Sequence, residues 1–207
     1  MKLFKNRISI LYSILIIAPL LSASFAPSRH VTEERYALDK KESIVIWKGS
    51  MQFVPANAHV GNVYVSQGQL IFDKDRLVGG AIEIDMNTIT DPVHGSDNDL
   101  IRHMKSPDFF DAAKFPISTF TITRVASTKD EKINVTGDLT IKGITHEVTF
   151  PASIKVKDGI ANAEGKLIFD RTKWDVRYNS AKFFSSLADE TISDDIELSV
   201  KIVARKI

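Results

Sequence analysis

Ile144-Thr145-His146-Glu147-Val148-Thr149-Phe150-Pro151-Ala152-Ser153-Ile154-Lys155-Val156 is the stretch that decides the fold of this 207-residue chain. Its even positions are apolar apart from His146. Its odd positions are polar apart from Pro151. A period of two, with one apolar and one wet face, is the pattern of a half-buried antiparallel strand. Pro151 cannot donate a ladder hydrogen bond, so the strand must bulge or lie at an edge there. Upstream, Ile133, Val135, Leu139 and Ile141 alternate with Asn134, Thr136, Asp138 and Thr140. Lys142-Gly143 then reads as a turn joining the two strands into a hairpin. Downstream, Ile196, Leu198, Val200, Ile202 and Ala204 repeat the scheme.

The same alternation predicts strands over 43–53, 62–73, 77–88, 117–127 and 160–171, with a short one near 36–38. In 62–73 the apolar parity changes from Val63 and Val65 to Leu70 and Phe72, which calls for a bulge or bend at Gln67-Gly68. Eight long antiparallel strands form a sandwich or a closed barrel. Their sequential order favours up-and-down closure, which removes exposed edges. The interior of such a barrel is filled by side chains or holds one small ligand. Ala161, Ala163 and Gly165 share a face with Leu167 and Phe169. They either leave room in the interior or mark a weakly packed, bent segment.

Two stretches interrupt the strands. Residues 96–104 predict a short helix with Leu100, Ile101 and Met104 on one side, capped by Ser96 or Asp97. It leads into Phe109-Phe110. Residues 182–187 carry a second pair, Phe183-Phe184. Such pairs either plug the end of a barrel or pack beneath a surface connection.

The first 26 residues have the order of a secretory signal peptide. Lys2, Lys5 and Arg7 precede an apolar run over 8–21, then small residues follow. The run is short for a membrane span and is broken by Ser9, Ser13 and Pro19. The expected mature domain is 27–207, exported and most simply periplasmic. Of 27 basic and 26 acidic residues, three basic ones lie in the leader, so the remainder carries 24 against 26 and a formal charge of −2. That balance speaks against a nucleic-acid partner. There is no cysteine, which excludes a disulfide framework and a thiolate metal site.

Taken together, several segments resemble the YceI-like family of exported polyisoprenoid-binding proteins. They are 39–47, His59-Val60-Gly61, 79–86, 103–110, 114–120, 135–145, Phe169-Asp170-Arg171-Thr172-Lys173-Trp174 and 192–196. The resemblance covers nearly the whole mature chain. It implies an all-β, extended eight-stranded antiparallel, lipocalin-like barrel with one or two short helices. It also implies a lumen for the tail of an isoprenoid quinone or polyprenyl phosphate, carried or stored, with transient membrane contact. The segment 54–59 departs from the longer aromatic-containing entrance loop expected of members.

The candidate ligand-binding residues are Trp47, Phe72, Ile84, Met86, Phe120, Ile122, Leu167 and Phe169 on the apolar faces, and Phe109 and Phe110 at the plug. His59 and Arg171 are candidates for a polar head group. Each apolar member is equally readable as core. Arg171 either pairs with Asp170, Asp175 or Asp194 or meets a phosphate through its bidentate fork. His146 reads as a satisfied core or rim histidine. No metal-ligand spacing, nucleophile elbow or phosphate loop is present, so neither a catalytic residue nor a cofactor beyond the lipid is expected. The competing functional reading is a filled-core barrel acting through its outer surface as a stress or interaction protein.

Overall fold

The hairpin over Lys142-Gly143 is the simplest unit of the observed structure. Both turn residues have positive φ, 51° and 73°, the combination that matches the twist of the flanking strands. It joins β6 (Ile133–Ile141) to β7 (Ile144–Lys157) in unbroken register from Ile141↔Ile144 to Ile133↔Ala152. The computed structural model describes residues 33–207 apart from 57, 94, 96, 97 and 129–131. The signal peptide expected over 1–26 lies outside the described residues, as do His30 and His94.

The other strands are β1 (Glu33–Leu38), β2 (Ile44–Ser50), β3 (Ala58–Asp73), β4 (Arg76–Thr90), β5 (Ile117–Ser127), β8 (Ile160–Asp170) and β9 (Asp195–Lys206). Sequential antiparallel pairing runs from β2 through β9, and β2 closes on β9. Eight wall positions therefore form a closed barrel. β1 adds a ninth strand between β3 and β9, beyond the place where β2 pairs with them. The parity change of β3 is absorbed by a register shift between Val65 and Gln67. It keeps Val63, Val65, Leu70 and Phe72 all buried.

The predicted limits of β5 and β6 match the structure. Those of β3 do not, because pairing with β2 extends it back to Ala58, past the exposed His59. β8 ends at Asp170, whose carboxylate accepts from the Thr172 amide at 2.9 Å and opens a 3-10 turn over Arg171–Trp174. Arg171 is therefore a turn residue, not a strand residue.

One seam of the wall is incomplete. β7 pairs with β8 only over Ala152–Lys157, so nothing in the ladder joins 144–150 to 166–170. Pro151 stands where pairing stops. Below it Trp174 fills the gap. Its indole donates to the Leu139 carbonyl at 3.1 Å, and its ring meets Phe169 and His146 edge-on. His146 is a rim residue, exposed, with Nε2 donating to the Lys173 carbonyl at 3.0 Å.

Candidate functional site

One end of the barrel is stoppered. The helix α1 (Asp99–Lys105) is capped by Asn98, whose side chain accepts from Ile101 N at 2.9 Å. The expected cap at Ser96 or Asp97 is thus displaced by one or two residues. Ile101 and Met104 are buried, and Phe109 and Phe110 follow them inward, edge to face at 4.9 Å. Burying each of these rings contributes roughly 1.5–3 kcal/mol. Phe183 and Phe184 do not join them. They are 45% and 48% exposed, on an irregular segment, and Arg177 covers Phe183.

Arg171 holds this stopper together. It is fully buried, and its guanidinium donates to the carbonyls of Ser193 at 3.0 Å, Val176 at 2.8 Å and Ile192 at 3.2 Å. It also stacks over the Phe109 ring at 5.5 Å. Asp194 is its acidic neighbour, at 3.7 Å, an ion-pair distance too long for a hydrogen bond. Burial pushes the guanidinium below its ordinary pKa, while Asp194 and Asp170 oppose that shift. Of the two readings left open by the sequence, this geometry is that of a structural clamp. Nearby, Lys182 bridges Asp170 at 2.6 Å and Asp194 at 3.2 Å.

Above the stopper the lumen holds two apolar chambers in line. The lower, about 70 Å³, is lined by Trp47, Met86, Met104, Phe110, Phe169 and Ser118 among others. The upper, about 90 Å³, is lined by Phe120, Ile122, Phe150, Ala163, Gly165 and Leu167 among others. Val45, Ile84, Leu139 and Leu198 line both and form a waist, one residue from each of β2, β4, β6 and β9. Leu77, Ile133 and Ile154 pass from the upper chamber into a groove of about 270 Å³ rimmed by Asp75 and Arg76 at the other end of the barrel. That groove, at the end opposite the stopper, is the candidate mouth.

Glycines shape these chambers. Gly61 faces inward, and the Trp47 indole lies across it, where a side chain would overlap both that ring and the Thr90 carbonyl. Gly137 admits the Phe120 ring in the same way. At Gly165 a Cβ would sit 2.9 Å from the Phe150 ring. Phe120 and Phe150 meet at 5.5 Å inside the upper chamber. The small residues of β8 thus leave room that an aromatic ring from β7 partly occupies.

The structure brings together most of the residues singled out from the sequence. Trp47, Met86, Phe110 and Phe169 surround the lower chamber, Phe120, Ile122 and Leu167 the upper, and Ile84 both. Phe72 is buried beyond the chambers, against Tyr36. Phe109 lies under Arg171 in the stopper. His59, a candidate for the head group, is a strand residue. It lies exposed on β3, opposite Gly49, at the stoppered end, and Arg171 belongs to that end as well. The segment 54–59, expected as an entrance loop, leads into the same end of β3. Sequence reasoning missed Leu139, Leu198, Val45 and Phe150, all legible as inward by parity. It also missed Ser118, a polar residue on the inward parity of Phe120.

Among the described residues no three His, Asp or Glu side chains converge as a metal site, and no helix is long and apolar enough to cross a membrane.

Residues 36–204 match the model of the YceI-like domain. A UPF0312 protein of Shewanella denitrificans is 30% identical over 66% of this chain and 71% of its own length. A UPF0312 protein of Pseudomonas putida is 32% identical over 63% of this chain and 64% of its own. The chain thus spans about two thirds of the length of these relatives. Among solved structures, Burkholderia cenocepacia BcnA superposes with a TM-score of 0.66 at 25% identity, covering 81% of this chain and 99% of that one. A polyisoprenoid binding domain from Saccharophagus degradans shares the fold with a TM-score of 0.57 at 11% identity, over 83% and 98%. With the family pattern running from β1 to β9 and the barrel closed around an apolar lumen, the chain belongs to the YceI-like family.

Proposed function

We propose that this chain is an exported binding protein that holds an apolar isoprenoid lipid in its barrel lumen for carriage or storage. It performs no chemistry on that lipid. The observation that carries the reading is the line of mouth groove, upper chamber, waist and lower chamber, walled by apolar side chains. The description of the Saccharophagus domain as polyisoprenoid binding supports the choice of ligand. Export rests on the signal-like order of residues 1–26, and the periplasm is the simplest destination.

Burying a tail contributes about 0.8 kcal/mol per methylene relative to water. A bilayer offers the tail the same environment, so discrimination must come from lumen shape and head-group contacts. The chambers are each smaller than the ~150 Å³ cavity that takes a benzene. A tail therefore enters by displacing side chains, foremost the Phe120 and Phe150 rings and the waist. The same small volumes favour the second reading, a filled barrel that works through its outer surface.

Mass spectrometry of an organic extract from detergent-free native protein separates the two. A stoichiometric isoprenoid supports carriage. The same lipid level in a folded Ala163→Trp variant, whose indole fills the upper chamber, would count against lumen binding. An extract free of lipid from folded protein favours the filled barrel. N-terminal sequencing of the mature protein and cell fractionation test the export.

A further inference from the structure

The break in the wall between β7 and β8 has an apolar space on each side. Inside lies the upper chamber. Outside, a groove of about 400 Å³ crosses β7, β8 and β9, lined by Pro151, Lys166, Ser199 and Lys201 among others. Ile46 adds exposed apolar surface to it. Ala152, Ser153, Glu164, Gly165 and Val200 line both the groove and the chamber, so the two spaces meet across them. Ala152 and Gly165 are also the last pair of the β7–β8 ladder.

Three side chains decide how that place is closed. Pro151 has no N–H with which to carry the ladder further. Gly165 has no side chain to fill the wall. The Phe150 ring does so from within, 2.9 Å from where a Cβ of residue 165 would sit. Toward the stopper the break is sealed by Trp174 and by the hydrogen bond from His146 to Lys173. Away from it the ladder is complete. We infer that this break is a side port, through which an isoprenoid tail passes between the outer groove and the upper chamber, with the Phe150 ring as its gate. This rests on the reading that the lumen takes such a lipid, and concerns only how the tail enters and leaves. At the candidate mouth, Leu77, Ile133 and Ile154 are the residues shared with the chamber, and all three are branched. At the break the wall is an alanine and a glycine. One ring must swing aside, and no ladder hydrogen bond must break.

The chain has no cysteine, so an introduced pair is its only pair of thiols. Continuing the register from Ala152↔Gly165 puts Thr149 opposite Ile168 across the break, both exposed. The full mature protein carrying Thr149→Cys and Ile168→Cys is folded first, then bridged with a short bis-methanethiosulfonate that dithiothreitol removes. Arg76→Cys with Ser127→Cys, bridged in the same way, spans the candidate mouth. Stopped-flow mixing with a fluorescent anthranilate ester of farnesol reads uptake and release. Bridging the break should slow both roughly tenfold, as closing a gate does, and dithiothreitol should restore them. Bridging the mouth should have the smaller effect. Unchanged rates on bridging the break, or a larger effect at the mouth, overturn the port and leave the lumen reading intact. If the unbridged protein takes up no ester, the lumen reading fails and the port with it.

Discussion

Arg171 shows how one residue can be placed by pattern and still be misread. It keeps the inward parity of Leu167 and Phe169, but the strand has ended at Asp170. Its role comes from carbonyls of residues 176, 192 and 193, which no local pattern announces. Arg171→Leu leaves those carbonyls without their guanidinium donor and takes the buried counter-charge from Asp194, which keeps only Lys182. Urea unfolding should show a loss of about 3–5 kcal/mol, as when one partner of a buried ion pair is removed. Gly137→Ala forces a methyl against the Phe120 ring and the Thr121 carbonyl. Overpacking of that kind costs about 1–3 kcal/mol, which a denaturant midpoint will register. The inward side chains Trp47, Ile84, Met86, Phe120, Ile122, Leu167 and Phe169 were readable because a period of two survives any tertiary detail. His59 was not, since its neighbours give no parity to follow.

At the scale of elements, the stopper is tied by charge and the seam is left loose. Burial alone would raise the Asp170 carboxyl, but hydrogen bonds from Lys182 and Thr172 outweigh it and hold the pKa below the ordinary value. Hydrogen bonds to Asp170 and Asp194 raise Lys182 above its own. A depressed carboxylate stabilises above its unfolded pKa of ~3.9 and loses that contribution as pH falls through the lower folded value. A raised ammonium stabilises below its unfolded pKa of ~10.4 and loses it as pH rises through the higher folded value. The thermal midpoint of Lys182→Ala should therefore lie below wild type between about pH 4 and 10, and the gap should close beyond either limit. In the wall, seam-side amides of 144–150 lack a β8 partner. Hydrogen exchange there should be faster than at 152–157, where the ladder is complete. Pro151 announced this edge in the sequence. The turn that covers it, with Trp174 reaching across to β6, depends on residues 35 apart and was not legible.

For the whole molecule, eight alternating strands in sequential order were enough to expect a closed barrel. The division of one wall position between β1 and β2 was not visible, because it depends on where β9 runs. Deleting 195–207 should leave a sheet with two open edges that unfolds without cooperativity and aggregates, as calorimetry and light scattering would show. That last strand has a consequence in time. The Ser43 hydroxyl donates to the Val203 carbonyl at 3.2 Å and accepts from the Val203 amide at 3.0 Å, across 160 residues of chain. At ~5–20 residues per second, a ribosome needs roughly 8–32 s to pass from Ser43 to Val203. Until then the future lumen is only a strip of apolar sheet facing water. The compartment does not exist until Asp195–Lys206 has paired with both β2 and β8.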